Sequence, residues 1–188
     1  MEFFIDLWLA IVAATLALHT ASFISWTVFP HHFADKKKLA DEDKVMELVR
    51  ELNIPPGNYM FPYTTDKQTQ SDKDFIAKYK AGPVGCLDVY TPMNMGKNIA
   101  FTILFFFVTS SVIAYITHVA CPPSDPETTF LKMFRFAGTV AILTYASSGI
   151  LNRIWFQARK ITDFIDGCVF GLILGLIFAA LYKYPIAS

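Results

Sequence analysis

The stretch FIDGCVFGLILGLIFAALYKY, Phe164–Tyr184, decides how this chain folds. Apart from Asp166 and Lys183 near its ends it is almost wholly apolar, and about 20 such residues suffice to cross a hydrocarbon core of roughly 30 Å. Its glycines recur at every fourth position, Gly167, Gly171 and Gly175, and Ala179 continues the stripe. Small residues at that spacing let two helix backbones approach closely. Three further runs share the apolar character: Leu7–Phe29, Ile99–Ala120 and Phe130–Leu151. The expected fold is therefore an all-α integral membrane protein with four transmembrane helices, over residues 1–29, 98–120, 130–151 and 164–184. A small α+β insert, residues 30–97, separates the first helix from the second.

Composition supports that reading. The chain has 188 residues and is 54% hydrophobic, and those apolar residues are gathered into runs where a globular domain disperses them. Lys plus Arg and Asp plus Glu both number 16, so net charge points to no nucleic-acid partner. The lipid bilayer is the first partner expected. The three cysteines, Cys86, Cys121 and Cys168, form no CxxC pair and fall in unrelated segments. Neither a disulfide nor a zinc site is expected from them. The N-terminus carries Glu2 and Asp6 but no basic residue, and its apolar run exceeds a signal-peptide core, so the first helix is read as uncleaved.

The distribution of Lys and Arg sets the orientation. Lys36, Lys37 and Lys38 follow the first helix, and Arg153, Arg159 and Lys160 lie between the third and the fourth. The connector Cys121–Thr129 has no basic residue and carries Asp125 and Glu127. With both termini outside, every basic cluster is cytoplasmic and only Lys183 is an exception. Trp8, Trp26 and Trp155 then fall near the two interfaces, where amphipathic rings prefer to sit.

The insert is too polar for lipid. Pro30 stops the first helix. Asp41-Glu42-Asp43 opens a short helix, with Asp41 as its cap and Val45, Met46, Leu48, Val49 and Leu52 as one apolar face. That face is expected to form the insert's core, with a membrane-surface or partner contact as the alternative. Pro55-Pro56-Gly57 ends this helix, and Ser71 with Asp74 marks the start of another over residues 72–80, ended by Gly82-Pro83. Two β-prone pieces, Asn58–Tyr63 and Val84–Thr91, are expected to pair as a small sheet.

Ionisable groups inside a membrane helix are costly and mark possible sites. His19 lies near the middle of the first span and shares a helical face with Thr15 and Ser22. His118 is too shallow to share a haem with it, since their depths differ by about 15–20 Å at the rise of a helix. His31 and His32 are adjacent, and on a helix they would point about 100° apart, with no carboxylate or cysteine at ligand spacing. No metal and no other cofactor is expected there. Together with Arg153, Asp163 and Asp166 they make a cytoplasmic polar collar, whose acids suit the start of the last helix. Asp6 and Arg135 lie at similar depth on the outer side and are expected either to pair or to reach the interface separately. The alanines of the first helix offer a smooth surface for the glycine stripe. The second span, with Phe101, Phe105, Phe106 and Phe107, is expected to face lipid or a partner.

The stretches PHHFADKKKLADEDKV (30–45), PPGNYMFP (55–62), KYKAGPVG (78–85) and FRFAGTVA (134–141), with DGCVFGL in the last helix, resemble a family of small four-span bacterial membrane proteins. The resemblance implies a location in the bacterial plasma membrane and no particular activity. No nucleophile elbow, P-loop, HExxH or dinucleotide fingerprint is present. The leading expectation is a non-catalytic membrane subunit or scaffold. It would dock other membrane subunits, or a second copy of itself, through the insert or the glycine-striped helix. A small oligomeric transporter or channel using His19 is the first alternative, and a membrane enzyme using the polar collar is the second.

Overall fold

The computed structural model describes residues 2–150, 154 and 161–184. They are mostly helical and divide into two compact units, one of residues 1–37 with 95–188 and the other Lys38–Asn94.

The first unit is a helical bundle. Helix α1 spans Glu2–Thr27 and is followed by a 3-10 turn, Pro30–Asp35. Helix α5 spans Met95–Ala120, α6 Phe130–Ala146 with a 3-10 extension Ser147–Gly149, and α7 Thr162–Leu181. Three of these, α1, α5 and α7, are long and apolar enough to cross a membrane. The third expected span is shorter as an α-helix. Its 17 residues reach about 25 Å, and the chain tightens at Ser147-Ser148-Gly149, residues of weak helical preference. Leu151 and the connector that follows lie outside the described residues apart from Ile154.

The helix ends that meet fix the directions. At one end Asp6 of α1 meets His118 of α5, and the Tyr182 hydroxyl donates to the Cys121 carbonyl at 2.8 Å. At the other, Ser25 of α1 bonds Asp166 of α7. The four helices thus alternate up and down. Each turns one stripe inward: Leu7, Ile11, Ala14 and Leu18 from α1; Phe106, Ile113 and Ala114 from α5; Met133, Ala137 and Ala141 from α6; Leu174 and Phe178 from α7. The opposite faces remain apolar yet exposed, as at Val12, Leu16, Phe23, Val108, Val112, Leu172 and Leu176. An apolar outer surface on that scale belongs to a helix bundle whose solvent is lipid.

The glycine stripe packs against α6 and not against the alanine surface of the first helix that the sequence offers for it. A Cβ on Gly167 would lie 2.5 Å from the backbone of Ala146, and one on Gly175 would lie 2.9 Å from the Cα of Gly138. A Cβ on Gly171 would overlap Ile142. The pairs 146–167, 142–171 and 138–175 step by one turn in opposite directions, so the helices run antiparallel in backbone contact. Both helices contribute small residues at these crossing points, Gly138 and Ala146 from α6 and the three glycines from α7. The stripe is therefore engaged inside the bundle. Phe106 departs from the lipid-facing expectation as well. It is buried, edge-on to Phe170 with centroids 6.0 Å apart, and beside Tyr145, whose hydroxyl lies 2.8 Å from Thr109 Oγ1.

The second unit contains α2 (Glu42–Glu51), β1 (Gly57–Phe61), α3 (Lys67–Gln70), α4 (Lys73–Ala81) and β2 (Gly85–Val89). The strands pair antiparallel, with Tyr59 opposite Leu87. Asp66 caps α3 by accepting from the backbone N–H groups of Gln68 and Thr69, and Asp72 caps α4. Gly82 ends α4 at φ +64°, a conformation that favours glycine. Asp41 does not cap α2 with its side chain, which takes Lys44 at 3.3 Å instead. The apolar face of α2 is not the core of this unit: α2 buries no residue, and Met46, Leu48 and Leu52 are all exposed. A unit of this size has too little interior to cover that face.

Candidate functional site

Where α1 ends, the chain doubles back. The N–H groups of Val28 and Phe29 both donate to the Ile24 carbonyl. Phe29 is then extended, φ −83° and ψ 135°, as a residue before proline prefers. Pro30 opens the 3-10 turn at a position that needs no N–H donor. The turn lays His32 flat on Trp26, with ring centroids 3.9 Å apart and planes within 5°. It also brings the two imidazoles together, with centroids 4.3 Å apart.

Both rings meet one carboxylate. Asp166 lies in the second turn of α7, on a helix otherwise almost wholly apolar, with its side chain 13% exposed. Its Oδ1 is 3.2 Å from His31 Nε2, and its Oδ2 is 3.0 Å from His32 Nε2 and accepts from the Ser25 hydroxyl. Asp35, three residues after His32, places Oδ2 2.8 Å from His32 Nδ1 and also accepts from Thr162 Oγ1 at 2.9 Å. His32 is thus held between two carboxylates, with its side chain 2% exposed. Burial works against a charge on His32, but the hydrogen bonds and negative charge of Asp166 and Asp35 prevail. The imidazole pKa stands above its ordinary value.

The arrangement joins part of the expected collar. His31, His32 and Asp166 converge from the two ends of the chain. Asp163 is half-buried in the first turn of α7, one turn before Asp166. Arg153 lies outside the described residues. His19 sits six residues before Ser25 on α1, about 9 Å along the helix, and its Nδ1 is buried without a hydrogen-bond partner. On the opposite end of the bundle, Asp6 approaches His118 Nδ1 at 3.7 Å, where the sequence leaves open a pair with Arg135 or separate reach to the interface. Arg135 is exposed on α6, beside Lys132 and Thr139 in an open groove. Helix packing alone decides which of these distant groups share a face.

Ser25, Asp35, Thr162 and Trp26 were not singled out as site residues in the sequence. The spacing His32-x-x-Asp35 was the one local signal, since side chains three apart on a helical turn are neighbours. The carboxylate that local spacing does not supply comes from Asp166, across 134 residues of sequence.

Two chemistries can be separated by geometry. A serine–histidine–aspartate relay needs serine and carboxylate on different ring nitrogens. Here Ser25 and Asp166 both address Nε2 of His31, so the cluster is not such a relay. Two imidazole nitrogens and a carboxylate oxygen are instead groups that could hold a cation: the ligand atoms of His31, His32 and Asp166 all lie within 4.8 Å of one another. Compared with family models, with curated proteins and with solved structures, the chain finds no match.

Proposed function

We propose that this protein is a four-span integral protein of the bacterial plasma membrane, with both termini outside, whose polar cluster at the cytoplasmic end binds a cation. The observation that supports this most is Asp166. A carboxylate on an apolar helix is strongly disfavoured unless partners hold it, and this one gathers two imidazoles and a hydroxyl from the other end of the chain. The fourth span is α6 with its 3-10 extension, which together reach about 31 Å at the rises of the two helix types. The cytoplasmic assignment follows from the lysines at 36–38 and the basic residues between α6 and α7.

The reading is tested by thermal unfolding of the full-length protein in mild detergent, with sodium, magnesium, calcium, zinc or spermidine added in turn. A ligand that binds only the folded state raises the midpoint, by about 2.7 kcal/mol of stability at a hundred times its dissociation constant. At least one cation is expected to do so in the natural sequence and not in Asp166→Ala. No response to any of them contradicts the reading.

A second reading keeps the non-catalytic subunit role. The uncovered apolar face of α2 supports it, since residues such as Leu48 and Leu52 are left exposed on a helix that is otherwise charged. The occupant would be another membrane subunit. A strictly monomeric, partner-free protein in mild detergent counts against it.

A further inference from the structure

We infer that the cation is a first-row divalent transition metal, held by His31 Nε2, His32 Nε2 and Asp166, with Asp35 orienting His32 from behind. The inference rests on the cation-binding reading of the same cluster and narrows it.

Ligand identity makes the selection. Magnesium and calcium take oxygen ligands almost exclusively, and copper(I) and structural zinc sites favour sulfur. Two imidazoles with one carboxylate suit zinc, iron(II), cobalt(II) and their neighbours. None of the three cysteines belongs to the cluster.

Distances agree with one shared ion. Zinc sits about 2.0–2.2 Å from imidazole nitrogen or carboxylate oxygen, which sets tetrahedral ligand atoms about 3.4 Å apart. The two imidazole–carboxylate separations are 3.2 and 3.0 Å. One distance runs to each Asp166 oxygen, and one ligand atom from each residue lies within 4.8 Å of the others, so side-chain rotations of an ångström or so bring the three onto one ion.

The surroundings are those of a built metal site. A metal-bound histidine usually gives its other N–H to a carboxylate, which fixes the tautomer and aims the lone pair. His32 has that arrangement, with Nδ1 2.8 Å from Asp35 and Nε2 turned toward Asp166. Asp35 is itself held by Thr162, and the His32 ring is fixed face-on by Trp26. Such an outer shell explains why three side chains that are not ligands, Ser25, Trp26 and Asp35, converge on His32 and Asp166, with Thr162 behind Asp35. Three protein ligands leave at least one coordination position for water or a substrate, as in catalytic rather than structural sites.

The test uses the full chain, purified in detergent through a tag without histidines and stripped with chelator. Zinc binding is followed by calorimetry and elemental analysis, and cobalt(II) by its visible absorption. One equivalent of each metal per chain is expected, with cobalt bands typical of four or five ligands. Asp166→Asn and His32→Ala are expected to abolish binding, and Asp35→Asn to weaken it about 10–100-fold. His31→Ala serves if a buried variant fails to fold, since the His31 side chain is 32% exposed. A variant with all three cysteines replaced by serine keeps full binding. Absence of binding in the natural sequence overturns the inference, and so does binding that survives Asp166→Asn and His31→Ala. Stabilisation by magnesium, calcium or spermidine without any zinc or cobalt binding overturns the metal assignment while leaving the cation-binding reading intact.

Discussion

Asp166→Ala is expected to destabilise the chelator-treated protein by about 3 kcal/mol, the lower end of the range for removing one partner of a buried charged pair. The loss removes the shared acceptor of three groups at once: His31 Nε2, His32 Nε2 and the Ser25 hydroxyl. His32 suffers most, because its side chain is nearly inaccessible and its remaining partner is Asp35. The effect should be strongly coupled to that ring. The double variant His32→Ala/Asp166→Ala is expected to fall short of the sum of the singles by about 1–3 kcal/mol, as for residues in direct contact. Unfolding curves in mild detergent measure both quantities. Strict additivity would mean that the two side chains do not meet.

Gly171→Leu is expected to separate α6 from α7 and to cost about 3 kcal/mol or more, at the upper end of overpacking effects. A first side-chain atom at this position already overlaps Ile142, backbone as well as side chain, so rotamer changes cannot relieve it. Gly138→Ala is the informative contrast. A Cβ there would stand 3.4 Å from the Gly171 carbonyl oxygen, near ordinary contact, and the variant should retain most of the stability. The monodisperse fraction after heating in detergent reads both. A tolerated leucine at 171 would show that the stripe faces outward.

Much of this architecture is legible in the sequence because lipid imposes strong rules. Long apolar runs mark helices, and the two-strand insert is punctuated by proline and glycine at 55–57 and 82–83. The helix α4 and both strands lie within a residue or two of their expected places. Partner choice is less legible. The stripe at Gly167, Gly171 and Gly175 announces a close helix contact but carries no label for the helix that fills it. Only the spacing of small residues on α6, Gly138 and Ala146, answers it. The site shows the same division. His31, His32 and Asp166 are visible singly as polar residues at one depth. Their convergence depends on the 3-10 turn after Phe29, which reverses the chain over Trp26. Read as helix, the histidine pair diverges, and the carboxylate that completes the set is 134 residues away. The exposure of α2 was illegible for another reason. An amphipathic pattern states that a face seeks cover, not that the same unit provides it.

We propose that lipid surrounds the bundle and that the polar cluster faces the cytoplasm. Cys86 offers the most direct measurement, since it is exposed in the insert that follows the cluster. In a Cys121→Ser/Cys168→Ser background it is the sole thiol. A membrane-impermeant maleimide is predicted to leave it unlabelled in intact spheroplasts and to label it fully in inverted membrane vesicles. Labelling in intact spheroplasts, or recovery of the chain in the soluble fraction without detergent, would contradict the account.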